Sequence, residues 1–244
     1  MQIWGDDLWA QSHTGHKRKT NQDRFLVREL EDCRILLAVA DGMGGEAGGD
    51  IAAQMVIDDL DAIMIGTGRY EHDLTQILSK ANEKIRQRAR ENPDLEGMGT
   101  TATVVVVSQD TAYWSHVGDS RLYHFHTGSL TQVTTDHTFV QDLVADGTLS
   151  QKEADRHPLR NVLDQCVGCG SLKAESGRFK VMAGDRLLLC SDGLIKHVSD
   201  DSIKAVLAKG NARQSVQELI DQALHAGGKD NITVVIMDIS SIKQ

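Results

Sequence analysis

Ile35-Leu36-Leu37-Ala38-Val39-Ala40-Asp41-Gly42-Met43-Gly44-Gly45 reads as a buried strand that stops at an acid and then turns through glycines. The run Ile35 to Ala40 has no polar face, which predicts a strand covered on both sides, and Asp41 stands at its end. Three further aspartates occupy the same kind of place: Asp119 follows Ala112 to Val117, Asp192 follows Leu187 to Cys190, and Asp230 precedes Ile232 to Met237. A strand end delivers a side chain to a fixed position. Four carboxylates delivered to one place repel each other unless a cation sits among them, so the pattern points to oxygen ligation of a hard divalent ion such as Mg or Mn.

Taken singly, each acid has a plainer explanation. Asp41-Gly42 is an ordinary turn dipeptide, and Gly118-Asp119-Ser120-Arg121, Ser191-Asp192-Gly193 and Gly228-Lys229-Asp230-Asn231 carry the residue types that hairpin turns want. Repetition shifts the balance, because one hairpin cannot account for an acid beside Gly, Ser or Asn at the end of four apolar strands. Gly42, Gly44 and Ala47 also satisfy a dinucleotide fingerprint, with acids further on at Asp58, Asp59 and Asp61. Against that reading, Asp41 would face its charge toward a pyrophosphate, and the helix that follows leads to another helix instead of a parallel strand. A nucleophile elbow at Ser191 is excluded by Leu189, where the pattern requires glycine. Lys17, Arg18 and Lys19 form a compact basic cluster that reads either as a solvated loop or, through the planar fork of Arg18, as a contact for phosphate oxygens.

Working outward, Trp9 to His13 and Phe25 to Val27 are strand-like, and helical periods follow over Glu46 to Ile65 and Leu74 to Arg90. The period then drops to two: Thr101 to Ser108, Thr111 to Val117, Arg121 to His126 and Ser129 to Val133 predict a meander of short strands. Asp136 to Gly170 loosens into short helical pieces, with an inserted flap placed at 138–170. Phe179 to Cys190 returns to strand, Asp200 to Ala208 and Ala212 to Ala226 are amphipathic helices, and Asn231 to Ile239 is a last strand. The order predicts an α+β fold, a two-sheet antiparallel β-sandwich flanked by pairs of helices, as one domain over residues 1–244.

A formal charge of −9 with no clustered Lys/Arg stripe argues against nucleic acid, and the apolar runs are too short to cross a membrane. Met1 to Asp7 lacks the basic and apolar regions of a secretory signal, so the expected compartment is the cytoplasm. The cysteines Cys33, Cys166, Cys169 and Cys190 are too unevenly spaced for a disulfide framework, and Cys166-x-x-Cys169 reads as an incidental pair of thiols. His137 reads as structural, and the other nine histidines as scattered surface or packing residues without ligand spacing.

In order, the chain carries Gly15-x-x-Arg18-x-x-Asn21-Gln22-Asp23, Asp41-Gly42-x-x-Gly45 with Gly48, Met98-Gly99-Thr100-Thr101, Gly118-Asp119-Ser120-Arg121, Asp136-His137, Gly184-Asp185, Ser191-Asp192-Gly193 and Asp230-Asn231-Ile232-Thr233. From about Trp9 to Asp238 this resembles the bacterial metal-dependent type 2C protein phosphatases, the PPM family. The resemblance implies a Ser/Thr protein phosphatase acting through a metal-activated water at a Mn or Mg pair, with a weaker third ion. By motif, it implies that Asp41, Asp192 and Asp230 hold the first ion, Asp41 and the Gly42 carbonyl the second, and Asp119 with Asp192 the third. Asp23 would act through water, Arg18 would grip the phosphate, and Asn231 and Ser120 would support the ligands. The implied partners are phosphorylated proteins, including a bacterial Ser/Thr kinase or its substrates, with the chain acting as a monomer. Two positions depart from the animal relatives: Gln22 replaces a glutamate, and Met43 replaces a histidine proposed as general acid. The alternative is a catalytically silent regulatory module of the same fold, which is expected to have lost one or more of the metal aspartates.

Overall fold

The computed structural model of the chain describes residues 6–64, 66 and 68–239, with the backbone alone at 45–47. Its first sheet has the order β1 (Leu8–His13), β11 (Ile232–Asp238), β10 (Arg186–Cys190), β7 (Arg121–His126) and β8 (Ser129–Gln132). The second has β2 (Asp23–Glu29), β3 (Ile35–Met43), β5 (Ala102–Ser108), β6 (Thr111–Val117) and β9 (Glu175–Lys180), with the short β4 (Gly99–Thr100) paired to β3. All the strand pairs are antiparallel.

The unbroken apolar character of β3 follows from its burial on both faces. Leu37 and Val39 point between the sheets, where they meet Val105, Leu122, Leu187, Leu189 and Val235. Leu36, Ala38 and Ala40 point outward into a second apolar layer with α1 (Gly45–Asp61) and α2 (Tyr70–Glu91), through Val56, Leu60, Leu74 and Leu78. On the other side, Leu188, Cys190, Val234 and Ile236 pack on Ile203 of α6 (Asp200–Leu207) and on Val216, Leu219 and Ile220 of α7 (Ala212–His225). These layers are the predicted sandwich with flanking helix pairs. Between β8 and β9 lie α3 (Phe139–Ala145) and α4 (Gln151–Ala154), the short helices of the expected flap, and α5 (Asp192–Ile195) follows β10. The expected helix Glu46 to Ile65 is α1, which ends at Asp61, and Ile65 lies outside the described residues, as do Met1 to Gly5.

Three expectations need correction. The four strands from Ala102 to Gln132 are not one meander: β5 and β6 belong to the second sheet and β7 and β8 to the first, so Gly118-Asp119-Ser120 is a crossover between sheets. Gly118 makes that crossing at φ +108°, where a Cβ would also stand 2.6 Å from the Thr101 methyl. A crossover and a hairpin use the same small polar residues, which is why alternation alone cannot separate them.

The run Phe179 to Cys190 is likewise two strands in different sheets. The chain breaks at a turn in which the Met182 amide donates to the Asp185 carboxylate (2.9 Å) and the Asp185 amide to the Met182 carbonyl (3.0 Å). Finally, Cys166 and Cys169 are joined by a disulfide, with their Cα atoms 5.3 Å apart. Reciprocal backbone bonds between Thr100 and Val167 (3.0 and 2.8 Å) fold the 166–169 turn against β4 and bring the two cysteines together.

Candidate metal centre

Strand register assembles the acids. Antiparallel pairing of β2 with β3 sets Asp23 opposite Asp41. The Asp41 backbone is then clamped from the end of β4 and the residue joining it to β5: its amide donates to Thr101 Oγ1 (2.9 Å), and its carbonyl accepts from the Thr101 amide (2.9 Å) and the Thr100 hydroxyl (2.9 Å). Thr101 Oγ1 also bonds Ser120 Oγ at 2.7 Å, tying the Asp41 strand to the crossover that carries Asp119. At the end of the first sheet, Ser191 Oγ accepts from the Thr233 amide (2.9 Å) and donates to Asp23 Oδ2 (2.7 Å), and the Thr233 hydroxyl donates to the same oxygen (2.7 Å). One carboxylate thus pins the ends of both sheets. Asn231 holds the N-terminal loop beside them, donating to the carbonyls of Thr14 (2.9 Å) and Thr20 (3.0 Å) and accepting from the Gln22 amide (2.9 Å).

The backbone approach at Gly42 is equally demanding, since a Cβ there would collide with the Gly49 carbonyl of α1. Gly42 borders a cavity of about 890 Å³ together with Asp41, Asp119, Asp192 and Asp230. Arg18 and Lys196 line it too, and Asn161, Val162 and Leu163 of the flap form part of its wall. Asp23 is buried behind it, at 2% exposure.

Arg18 and Lys196 ion-pair with the acids. Arg18 forks onto Asp230, with Nε 2.8 Å from Oδ1 and an Nη donor 3.1 Å from Oδ2. Lys196 pairs with Asp192, one helical turn earlier in α5, and reaches Asp230 at 3.5 Å. Five carboxylates outnumber the four cations that border the cavity, Lys17, Arg18, Lys19 and Lys196, and the excess shows in the titration of the acids. Burial, reinforced by Asp23, Asp192, Asp119 and Asp230, pushes Asp41 well above the carboxylate range. Burial and Asp192 carry Asp119 up to about 8 against the pull of Lys196. Asp23 rises to about 6 through burial, tempered by its two hydroxyl donors, and burial also raises Asp192 in spite of Lys196. Burial pushes Asp230 up too, but Arg18 and Lys196 outweigh it and hold the carboxyl low.

Within the site, two buried carboxylate oxygens, Asp23 Oδ1 and Asp192 Oδ1, have no hydrogen-bond partner. Orphaned anionic oxygens, like-charge crowding and a donor set made only of oxygen fit a hard divalent cation better than any protein partner. The residues present therefore suit Mg or Mn.

The five acids assigned to a metal site from the sequence, Asp23, Asp41, Asp119, Asp192 and Asp230, come to this place, as do Gly42 and Arg18. Arg18, however, is engaged by Asp230 instead of projecting alone. His137 accepts from the Gly118 amide at 3.2 Å and its own amide donates to the Gly118 carbonyl at 2.7 Å, so it holds the crossover. Sequence reading missed Lys196, whose only signal is its position four residues after Asp192 at a helix start, and it missed Ser191 and Thr233 as the hydroxyl donors to Asp23.

Among the described residues, no helix is long and apolar enough to cross a membrane. The chain is 40% identical over 226 residues to the serine/threonine protein phosphatase PstP of Mycobacterium tuberculosis, a match covering 89% of this chain but 44% of that protein. It is 32% identical to the serine/threonine phosphatase stp of Listeria monocytogenes, over 92% of both chains. The catalytic domain of PstP, solved in complex with two manganese ions, superposes with a TM-score of 0.83 at 38% identity, covering 95% of this chain and 96% of that one. The profile of the protein phosphatase 2C family matches residues 11–231, and with the two-sheet fold and the acids gathered at its edge, this chain belongs to that family.

Proposed function

We propose that the chain hydrolyses phosphoserine and phosphothreonine in proteins, using a pair of Mn or Mg ions. The observation that carries this reading is the crowded, partly orphaned set of carboxylates at one end of the sandwich. Asp41, Asp192 and Asp230 would hold one ion, and Asp41 with the Gly42 carbonyl the other. Asp119 with Asp192 offers a weaker third place, and Asp23 acts through water from behind. When bound, such a pair lowers the pKa of water to make the nucleophile and offsets charge on the phosphoryl oxygens.

The protein's own part is positioning and charge. Arg18, aimed by Asp230, presents a planar fork to the phosphoryl oxygens. Thr101, Ser120, Ser191 and Thr233 hold the acids rigid, so little reorganisation is left for the reaction itself. Met43 has no proton to give. Lys196 stays charged beside Asp192 and Asp230 despite its burial, so we assign protonation of the leaving oxygen to water in the cavity. Residues 1–244 act as one phosphatase domain, and the flap at 138–170, which walls the cavity through Asn161 to Leu163, sets substrate access. The substrates are phosphoproteins, a Ser/Thr kinase or its targets among them, met in the cytoplasm by a monomer. A silent regulatory module is disfavoured, because Asp41, Asp119, Asp192 and Asp230 are all present and share one cavity.

Hydrolysis of p-nitrophenyl phosphate and of a phosphothreonine peptide should require Mn or Mg and be abolished in Asp192→Ala. Full activity in excess chelator would end the proposal. Exchanging residues 138–170 for another flap should change peptide preference, and an unchanged preference would remove the flap from the reading.

A further inference from the structure

A second constellation lies at the opposite end of the sandwich. His124 and His126 alternate on β7, so both side chains project from the same face of the strand. Asp185, at 3% exposure, sits in the turn that opens β10. His124 Nε2 lies 2.8 Å from Asp185 Oδ2 and His126 Nδ1 lies 2.6 Å from Asp185 Oδ1. One donor atom from each residue falls within 4.8 Å of the others, the only such group of three found among the described residues. This overturns the reading of the histidines as scattered: a His-x-His pair in a strand is ligand spacing once a carboxylate faces it.

β7 starts just past Asp119 and ends at His126, while β10 starts just past Asp185 and ends just before Asp192. At a rise of ~3.3 Å per residue, the cluster lies roughly 15–20 Å from the catalytic acids. The same two neighbouring strands thus carry acids of the phosphatase centre at one end and this cluster at the other.

We propose that His124, His126 and Asp185 form a binding site for a borderline divalent transition ion of the zinc class, separate from the Mn/Mg centre. Two imidazoles and a carboxylate are the donors such ions select, whereas Mg and Mn prefer oxygen alone. With metal–ligand distances of about 2.0–2.2 Å and tetrahedral angles, ligand atoms stand about 3.4 Å apart, a spacing that small rotations of two rings reach from the present contacts. Neutral imidazole accommodates the ion by carrying its proton on the other ring nitrogen. The Met182 amide orients the carboxylate at 2.9 Å, and the Phe179 ring, 4.7 Å from that of His124, shields one side. The His126 side chain is 36% exposed, which gives an ion its way in. Bound there, the ion would fasten the far end of β7 to the turn between β9 and β10.

The test uses the full chain in excess Mg, so that the oxygen site is occupied, titrated with Co(II) and then Zn(II). Expected are one equivalent of Co(II) with the strong visible absorption of a four-coordinate nitrogen/oxygen site, and its displacement by Zn(II). His124→Gln and His126→Gln keep a donor toward Asp185 and should each weaken binding by at least about tenfold. Asp192→Asn, at the catalytic end, should leave it unchanged. Absence of stoichiometric binding, or loss in Asp192→Asn with retention in the Gln variants, would overturn the proposal. X-ray absorption of the zinc-loaded wild-type chain needs no variant: imidazole scattering supports the site, and an all-oxygen shell refutes it.

Discussion

Replacing Asp119 with asparagine should make the ion-free protein more stable, not less. The folded chain holds the Asp119 carboxyl at about 8 against an ordinary 3.8, chiefly because it is buried and secondly because Asp192 is near. At 1.36 kcal/mol per unit, ionising it in place costs the fold up to roughly 5–6 kcal/mol. Water in the cavity and proton sharing with its neighbours reduce this to about 2–3 kcal/mol. For a chain of this size that corresponds to a rise in Tm of about 4–12 °C for Asp119→Asn. The sign follows from linkage: a raised acid imposes no penalty below its unfolded value, an increasing one as pH climbs, and the full one above its folded value. The advantage of the variant should therefore be small near pH 4 and largest above pH 8. Thermal unfolding in chelator across that range is the assay. A variant no more stable than wild type at pH 8.5, or a gain independent of pH, would refute the claim that repulsion among these acids is unrelieved without ions.

Lys196→Ala should lower ion-free stability by about 1–3 kcal/mol, because Asp192 and Asp230 lose a cation, and should tighten Mn binding several-fold, because an ion no longer approaches a fixed positive charge; calorimetric titration reads both the affinity and its sign. Arg18→Ala should raise KM for p-nitrophenyl phosphate about tenfold with a much smaller change in kcat, and Arg18→Lys should recover only part of the loss, since a single ammonium cannot fork; an unchanged KM would take Arg18 out of phosphate binding. The buried Arg186 forks onto Asp238 (2.6 and 3.2 Å) and donates to the Leu207 and Lys209 carbonyls (2.7 and 3.1 Å). Truncating it to Ala strands a partly buried acid and should cost about 3–5 kcal/mol in urea unfolding, with activity per folded molecule retained.

Much of this centre is legible in the chain because a strand end is a local event. An apolar run such as Leu187 to Cys190 followed by an acid says where the side chain leaves the sheet, whichever sheet that is. Asp41, Asp119, Asp192 and Asp230 could be named for that reason. The Arg18–Asp230 fork could not, because its partners lie far apart in sequence and meet when the N-terminal loop is tied to the Asp230 turn, by the Asn231 bonds to Thr14, Thr20 and Gln22 and the His16 amide on the Gly228 carbonyl. His124 and His126 looked scattered for the same reason: the carboxylate that gives their spacing meaning arrives from the turn before β10.

Periodicity and composition by themselves determine that there are strands buried on both faces, helix pairs to cover them, and acids at strand ends, since each depends only on neighbours in the chain. Which strand joins which sheet is decided by tertiary structure alone. Gly118 and the Met182–Asp185 turn pass the chain from one layer to the other with residues that would serve a hairpin as well. The titration of the acids and the reach of Lys196 to Asp230 are likewise tertiary. Burial and Coulomb energy depend on distances through space, and those are set by register and layer packing.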